Sequence, residues 1–317
     1  MQSPQLSNEL MILLWGLQSD PPMEAVRAAL ERIDTPFLHL EQRCVLSTSI
    51  EMEVDLHVRG RIRCGEQSID LSAVSACYFR PDDSRQLPSV VEAGENSLAW
   101  RHALAVEDTM ILWADITPAF VMNRPSAMSS NSSKPYQLEL IKAYGLSVPE
   151  TLITTDPAAV IEFQKEHGEI IYKSVSGIRS RVSKFRPEHL DRVSDVTSCP
   201  TQFQQYIPGT DYRVHVAGEK VFTSRIVTAA DDYRYAGATG DDIDVTSCEI
   251  PDDLAAACKQ VALGLGLPFA GLDLRQTPDG RWYCFEANPS PGFTFYDREP
   301  GAPIASAVAQ MLASASI

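Results

Sequence analysis

The stretch Gly271-Leu-Asp273-Leu-Arg275, a Thr277-Pro-Asp-Gly280 turn, and Trp282-Tyr-Cys-Phe-Glu286-Ala-Asn288-Pro-Ser-Pro-Gly292 reads as two strands joined by a tight turn. With the turn taken as symmetric about its centre, Asp273 lies opposite Cys284. Side chains alternate along a strand, so Cys284, Glu286 and Asn288 share one face, and Asp273 joins it. Asp273 and Glu286 are then diagonal neighbours, roughly 7–8 Å apart. Leu272, Leu274, Tyr283 and Phe285 line the opposite face. Acids that project from a strand pair covered on its other side are unlike a solvated strand edge. Two carboxylates and an amide oxygen are hard donors that suit Mg²⁺, which takes one or two carboxylates and fills its shell with phosphate and water.

Upstream, two lysines stand where anions would be welcome. Lys134 closes the polar, Ser-rich run Asn123–Pro135 and opens a helix whose free N–H groups favour negative charge. Lys173 ends Ile170-Ile-Tyr-Lys173 and precedes Ser174-Val-Ser176-Gly177-Ile-Arg179-Ser-Arg181, a run that reads as a flexible lid with phosphate donors. Each lysine alone reads as a solvated surface residue; the pair gains meaning beside the acidic strands. A third element is Gln204-Gln-Tyr206-Ile207-Pro-Gly-Thr-Asp211-Tyr-Arg213. Its turn through Pro-Gly leaves backbone groups near Tyr206 and Ile207 for a flat heterocycle, and Asp211 could accept from ribose hydroxyls. Arg213 and Arg225 lie on neighbouring strands of a hairpin turning at Ala217-Gly218 and would face a developing negative charge. His215 shares the parity of Arg213 and is read as structural.

The first third alternates strand and helix signals: strand Met11–Trp15, helix Met23–Ile33, strand Pro36–Leu40, a hairpin or edge pair over Glu51–Arg63 around Gly60, strand Val74–Phe79 and helix Ser97–Leu112. The division expected is an α/β domain over 1–122, a lid over 123–207 and a third unit over 208–317. Lys+Arg 27 against Asp+Glu 42 leaves a charge of −15, which repels phosphate backbones and anionic lipid, so nucleic-acid and membrane partners are not expected. No apolar run reaches the roughly 18 residues of a membrane span, and no basic segment precedes Met11–Trp15 as a secretory signal would require. Seven scattered cysteines without a C-x-x-C pair read as mostly buried free thiols in a reducing cytoplasm.

Lys134, Lys173 with its Ser-Gly loop, Gln204…Asp211 and Asp273…Glu286-x-Asn288 resemble, in order and spacing, the ATP-grasp carboxylate–amine ligase superfamily. The resemblance covers Asn123 to the C-terminus and implies an α/β (α+β) ATP-grasp fold preceded by an N-terminal pre-ATP-grasp domain. It implies ATP and Mg²⁺ as cofactors. Lys134, Lys173, Ser176 and Gly177 would contact phosphates, Gln204, Tyr206 and Ile207 adenine, and Asp211 ribose, with Asp273, Glu286 and Asn288 on Mg²⁺. Tyr78-Phe-Arg80-Pro81, Asn131-x-x-Lys134, Gln204-Gln-Tyr-Ile, Asp211-Tyr-Arg213 and Asn288-Pro-Ser-Pro-Gly292 look most like the microviridin-type (graspetide) peptide ligases, with the ribosomal-protein glutamate ligases as close neighbours. The implied chemistry is activation of a carboxylate to an acyl phosphate, followed by attack of an amine or hydroxyl, with Arg213 and Arg225 as the catalytic arginines. A precursor peptide and a free amino acid both remain open as substrate, as do ester and amide products and a homodimer. A non-catalytic ATP-binding module is the alternative of another class.

Overall fold

A computed structural model describes residues 10–175, 182–228 and 243–315. β1 (Met11–Gly16) runs into α1 (Pro21–Arg32), and β2 (Phe37–Glu41) returns parallel to β1. Prolines at 21 and 22 suit the first helical turn, where fixed φ helps and no intrahelical N–H is lost. β3 (Thr48–Val54), β4 (Val58–Cys64) and β5 (Gln67–Asp70) form a separate antiparallel sheet. Its first hairpin turns at 55–57; Gly60 instead lies within β4, where a Cβ would come 2.0 Å from the Glu51 carbonyl oxygen. β6 (Val74–Arg80), α2 (Pro88–Ala93), α3 (Leu98–Ile116) and β7 (Phe120–Met122) complete a parallel sheet of order β2-β1-β6-β7.

The Ser-rich connector holds α4 (Pro125–Met128) and leads into α5 (Lys134–Ala143), which starts at the lysine itself. β8 (Thr151–Thr154), α6 (Pro157–His167), β9 (Ile170–Ser174), β10 (Ser183–Lys184) and β11 (Thr201–Gln205) follow, with sheet order β10-β9-β11-β8. α6 and a 3-10 helix over Pro187–Ser198 cover one side of this sheet through Val160, Ile170, Val196 and Phe203. Phe203 points into that core, so Gln202 and Gln204 point the other way, beside Lys173 and Ile171 across the register.

β12 (Thr210–Ala217), β13 (Lys220–Thr228), β14 (Ile243–Cys248), α7 (Asp252–Gly264), β15 (Phe269–Gln276), β16 (Trp282–Asn288) and α8 (Pro303–Ser314) form the last part, an antiparallel sheet of order β14-β13-β12-β15-β16 with two helices. β14 has no counterpart in the sequence reading, because its alternation spans only Ile243-Asp-Val-Thr246. One face of the sheet packs Val214, Val216, Leu272 and Leu274 on Leu138 and Ile141 of α5 and Cys258 and Val261 of α7. Ala217 and Phe269, on the other face, join a core with Ile12, Leu14, Val26 and Leu30 of the first unit and Ala305 and Val308 of α8. Among the described residues Cys64, Cys77, Cys258 and Cys284 are buried free thiols, whereas Cys44 and Cys199 are exposed. No helix of the described residues is long and apolar enough to cross a membrane.

Two buried amides tie these parts together. Asn123 donates to the carbonyls of Phe269 and Pro289 and accepts from the Phe269 N–H at 3.2 Å. Gln137 donates to the Ala287 carbonyl at 2.8 Å and accepts from its N–H at 3.2 Å. Each side chain thus replaces a missing strand neighbour at the end of β15 or β16. Asn123→Ala would leave three backbone groups without partners, at about 1–3 kcal/mol for each buried group. Urea unfolding is expected to lose about 2–5 kcal/mol, and a loss below about 1 kcal/mol would remove the clamp from the stability of the fold.

Candidate functional site

The strand pair carrying the acids has a register that corrects the symmetric turn. Asp273 lies directly opposite Glu286, and Leu274 opposite Cys284, so Phe285 is the extra residue of a β-bulge. The bulge resets the alternation. Cys284 and Ala287 both face the apolar core with Leu272 and Leu274, and Cys284 therefore does not share the acidic face. Tyr283 and Phe285 are not part of that core; their rings lie against Arg281 and Arg275, at 6.0 and 5.3 Å. The carboxylates are closer than the diagonal arrangement allows, since directly opposed Cα atoms sit about 4.5–5.5 Å apart.

Each acid meets a cation. Glu286 pairs with Lys134 at 2.7 Å, and Lys134 also donates to Asn131. Asp273 pairs with Arg213. Asn288 Oδ1 accepts from the Ser290 N–H at 2.9 Å, a turn that fixes the amide beside Glu286. Among the described residues no group of three or more His, Cys, Asp or Glu side chains converges. Asp273, Glu286 and Asn288 nevertheless fit a hard cation that takes its other ligands from phosphate and water, because two directly opposed carboxylates concentrate negative charge in one place.

Arg213 is 5% exposed and lies across Gly271. A Cβ on Gly271 would stand 2.4 Å from the Arg213 Nη2 and 2.8 Å from Pro291 Cβ, so only glycine admits the guanidinium there. His215 lies behind it, fully buried, with Nε2 accepting from Arg213 Nε at 3.4 Å and the ring packed near Phe269 and Tyr296. Arg225 does not join this group. It pairs with Tyr212 across β12 and β13, whereas Arg213 pairs with Ser224. Directly paired residues share a face, so the two arginines project from opposite sides, and the expectation of a shared site fails on strand parity.

On the other sheet, Lys173 stands opposite Gln202, and Gln204 donates to Thr151 Oγ1 at 3.0 Å. The backbone near Tyr206 and Ile207 is less free than its sequence suggests. The Tyr206 N–H bonds to the Glu169 carbonyl at 3.0 Å, and the Ile207 carbonyl accepts from Arg275 at 2.9 Å. Arg275 also grips Asp211 with two nitrogens, at 2.6 and 2.9 Å. Ser176 and Gly177 lie outside the described residues. Lys184, absent from the sequence reading, sits 4.2 Å from the Tyr206 ring centre. Gln202 was likewise missed: it is 1% exposed, and its amide nitrogen has no hydrogen-bond partner. Its signal was the alternation Gln202-Phe-Gln204, which puts both amides on one face. For Gln137 and Arg275 no local signal existed, since their partners are distant in sequence.

His215 gives the site a pH signature. Burial first, and then the Arg213 charge, hold its pKa well below 6.5. The unfolded chain takes up that proton near 6.5, so the contribution of a neutral His215 is full above about pH 6.5 and is lost as pH falls below it. His215→Gln is expected to flatten the unfolding free energy between about pH 5 and 7, with up to about 1.4 kcal/mol per unit at stake. Equal slopes in parent and variant would remove His215 as their source.

No family model matches the chain. Human beta-citrylglutamate synthase B is 25% identical over 210 residues, covering 61% of this chain and 53% of the relative. The chain thus spans about half the length of the curated relatives it matches. The ATP-grasp ligase PsnB, solved with a phosphomimetic variant of its minimal precursor, Mg and ADP, superposes with a TM-score of 0.78 at 26% identity, over 96% of this chain and 98% of PsnB. A Chryseobacterium gregarium RiPP-associated ATP-grasp ligase, in complex with ADP and a leader and core peptide, has a TM-score of 0.82 at 17% identity, over 96% and 97% of the two chains. By that likeness the chain has an ATP-grasp fold over nearly its whole length.

Proposed function

We propose that the chain is an ATP-dependent ligase that activates a carboxylate of a peptide as an acyl phosphate and joins it to an amine or hydroxyl. The observation that carries this reading is the direct pairing of Asp273 with Glu286, flanked by Arg213 and Lys134. Asp273, Glu286 and Asn288 would hold Mg²⁺, which when bound offsets negative charge on the phosphates. Lys134 and Lys173 would contact those phosphates. Gln204 and the Tyr206–Ile207 backbone would hold adenine; among the described residues the Tyr206 carbonyl and Ile207 N–H have no protein partner. Asp211, oriented by Arg275, would meet ribose.

The γ-phosphoryl group passes to the carboxylate and ADP leaves. The nucleophile then adds to the acyl carbon, loses a proton, and the C–O bond to phosphate breaks with its electron pair going to phosphate. Arg213, held in place by Asp273 and Gly271, would bind the carboxylate and stabilise the tetrahedral oxyanion. A peptide substrate is supported by the precursor, leader and core peptides bound to the similar ligases. A free amino acid is the second reading, favoured by the likeness to beta-citrylglutamate synthase B. The lid sheet lies within 123–207 and the last sheet within 208–317, which supports that division. Buried unpaired thiols support a reducing cytoplasmic setting.

Incubation with MgATP and peptides containing glutamate or aspartate is expected to release ADP and phosphate, and hydroxylamine to trap an acyl hydroxamate. AMP and pyrophosphate would overturn the acyl-phosphate route. ADP release with free amino acids alone selects the second reading, and MgATP binding without release under any acceptor selects a non-catalytic module. Asp273→Asn and Arg213→Ala are each expected to lower ADP release by at least about 100-fold.

A further inference from the structure

Gln202 has no role in the assignments above, yet it is 1% exposed and its amide nitrogen has no hydrogen-bond partner. Buried polar groups of folded proteins nearly always find a partner, so an amide without one calls for an explanation. β11 turns Phe203 into the core of the lid sheet, and Gln202 and Gln204 onto its other face. Lys173 stands directly opposite Gln202 on that face, and Thr151 directly opposite Gln204.

The hydrogen bonds of Thr151 fix which end Gln204 presents. The Thr151 hydroxyl donates to the Pro149 carbonyl at 3.1 Å, so toward Gln204 its oxygen acts as an acceptor. Gln204 accordingly turns its NH₂ group to Thr151, at 3.0 Å, and its carbonyl oxygen away from it. No described residue donates to that oxygen. The face therefore offers an acceptor at Gln204 and a donor at Gln202, neighbours on one strand. The Hoogsteen edge of adenine is their complement, because its N6 amine donates and its N7 accepts. A 6-oxopurine would instead set its carbonyl oxygen against that of Gln204.

The order of these groups also agrees with the order of atoms round the nucleotide. In an anti purine nucleotide the phosphates lie nearest the C8–N7 side, and N6 and then N1 follow along the ring. Lys173 beside Gln202, then Gln204, then the Tyr206 carbonyl and Ile207 N–H run in the same sequence along the lid. We propose that Gln202 is a base-recognition residue that donates from Nε2 to N7 of adenine, while Gln204 Oε1 accepts from the N6 amine. The assignment rests on the ATP-dependent reading, and adds which edge of the base is read and which side chain reads N7. The bound nucleotide supplies the buried amide with the acceptor it lacks.

Calorimetric titration of the full chain with the magnesium complexes of ATP and 7-deaza-ATP, in which a C–H replaces N7, tests this directly. The parent is expected to bind 7-deaza-ATP about five- to tenfold more weakly than ATP. In Gln202→Met and in Gln202→Leu, which have no donor, the two nucleotides are expected to bind with equal affinity. Equal affinities in the parent would overturn the assignment. So would the parent's ratio surviving in both variants, the result a purely structural Gln202 gives by weakening both nucleotides alike. Inosine triphosphate keeps N7 but carries an oxygen at C6, and is expected to bind the parent at least about tenfold more weakly than ATP. Binding as tight as that of ATP would overturn the acceptor role of Gln204. Tight MgATP binding with no preference over 7-deaza-ATP sinks the base assignment alone, whereas a parent that binds none of the three sinks the ATP-dependent reading itself.

Discussion

The arrangement of the site depends on one buried guanidinium. Arg213 stands directly opposite Asp273 on the neighbouring strand, and its guanidinium lies over Gly271 of that strand, where only a residue without a side chain leaves room. A buried arginine without a partner would cost several kcal/mol, so Asp273 and Arg213 hold each other in place. His215 closes the back of this group as a neutral ring, which adds no second positive charge beside the guanidinium. Pro291 covers it from the loop after Asn288. Position, charge and access at the acidic strands all follow from this stack.

Around it, two amide side chains do the work of absent strand neighbours. Asn123 comes from the segment that joins the first sheet to the rest, and Gln137 from α5, yet both bind the backbone that flanks Glu286 and Asn288. The bulge at Phe285 explains why such support matters. It interrupts the ladder at the point where the acids must face outward while Cys284 and Ala287 remain in the core.

Much of this was legible in the chain. The alternation of elements, the acid-rich final strand pair and the lysine at the start of α5 all rest on local periodicity and on local chemistry. The register was not, because a bulge depends on how a strand packs and leaves no local mark in Trp282-Tyr-Cys-Phe-Glu286. Arg213 and Arg225 illustrate the same point: both lie on a recognisable hairpin, but which face each takes follows from a register that pairs Arg213 with Ser224 and Arg225 with Tyr212. Gln202, Arg275 and Asn123 matter through partners far along the chain, which no short window contains. Gly60 looked like a turn and is instead a place where two strands come too close for any side chain.

The shared core of the first and last units has a consequence for how the protein is made. Val26 and Leu30 of α1 and Ile12 and Leu14 of β1 are packed against Ala305 and Val308 of α8, elements separated by nearly the whole chain. During synthesis the first sheet emerges long before α8, and one of its faces waits uncovered until those last turns leave the ribosome. Contacts of such long sequence separation form slowly. The interval leaves an apolar surface open on the nascent chain, and a chaperone that shields it would have its greatest effect then.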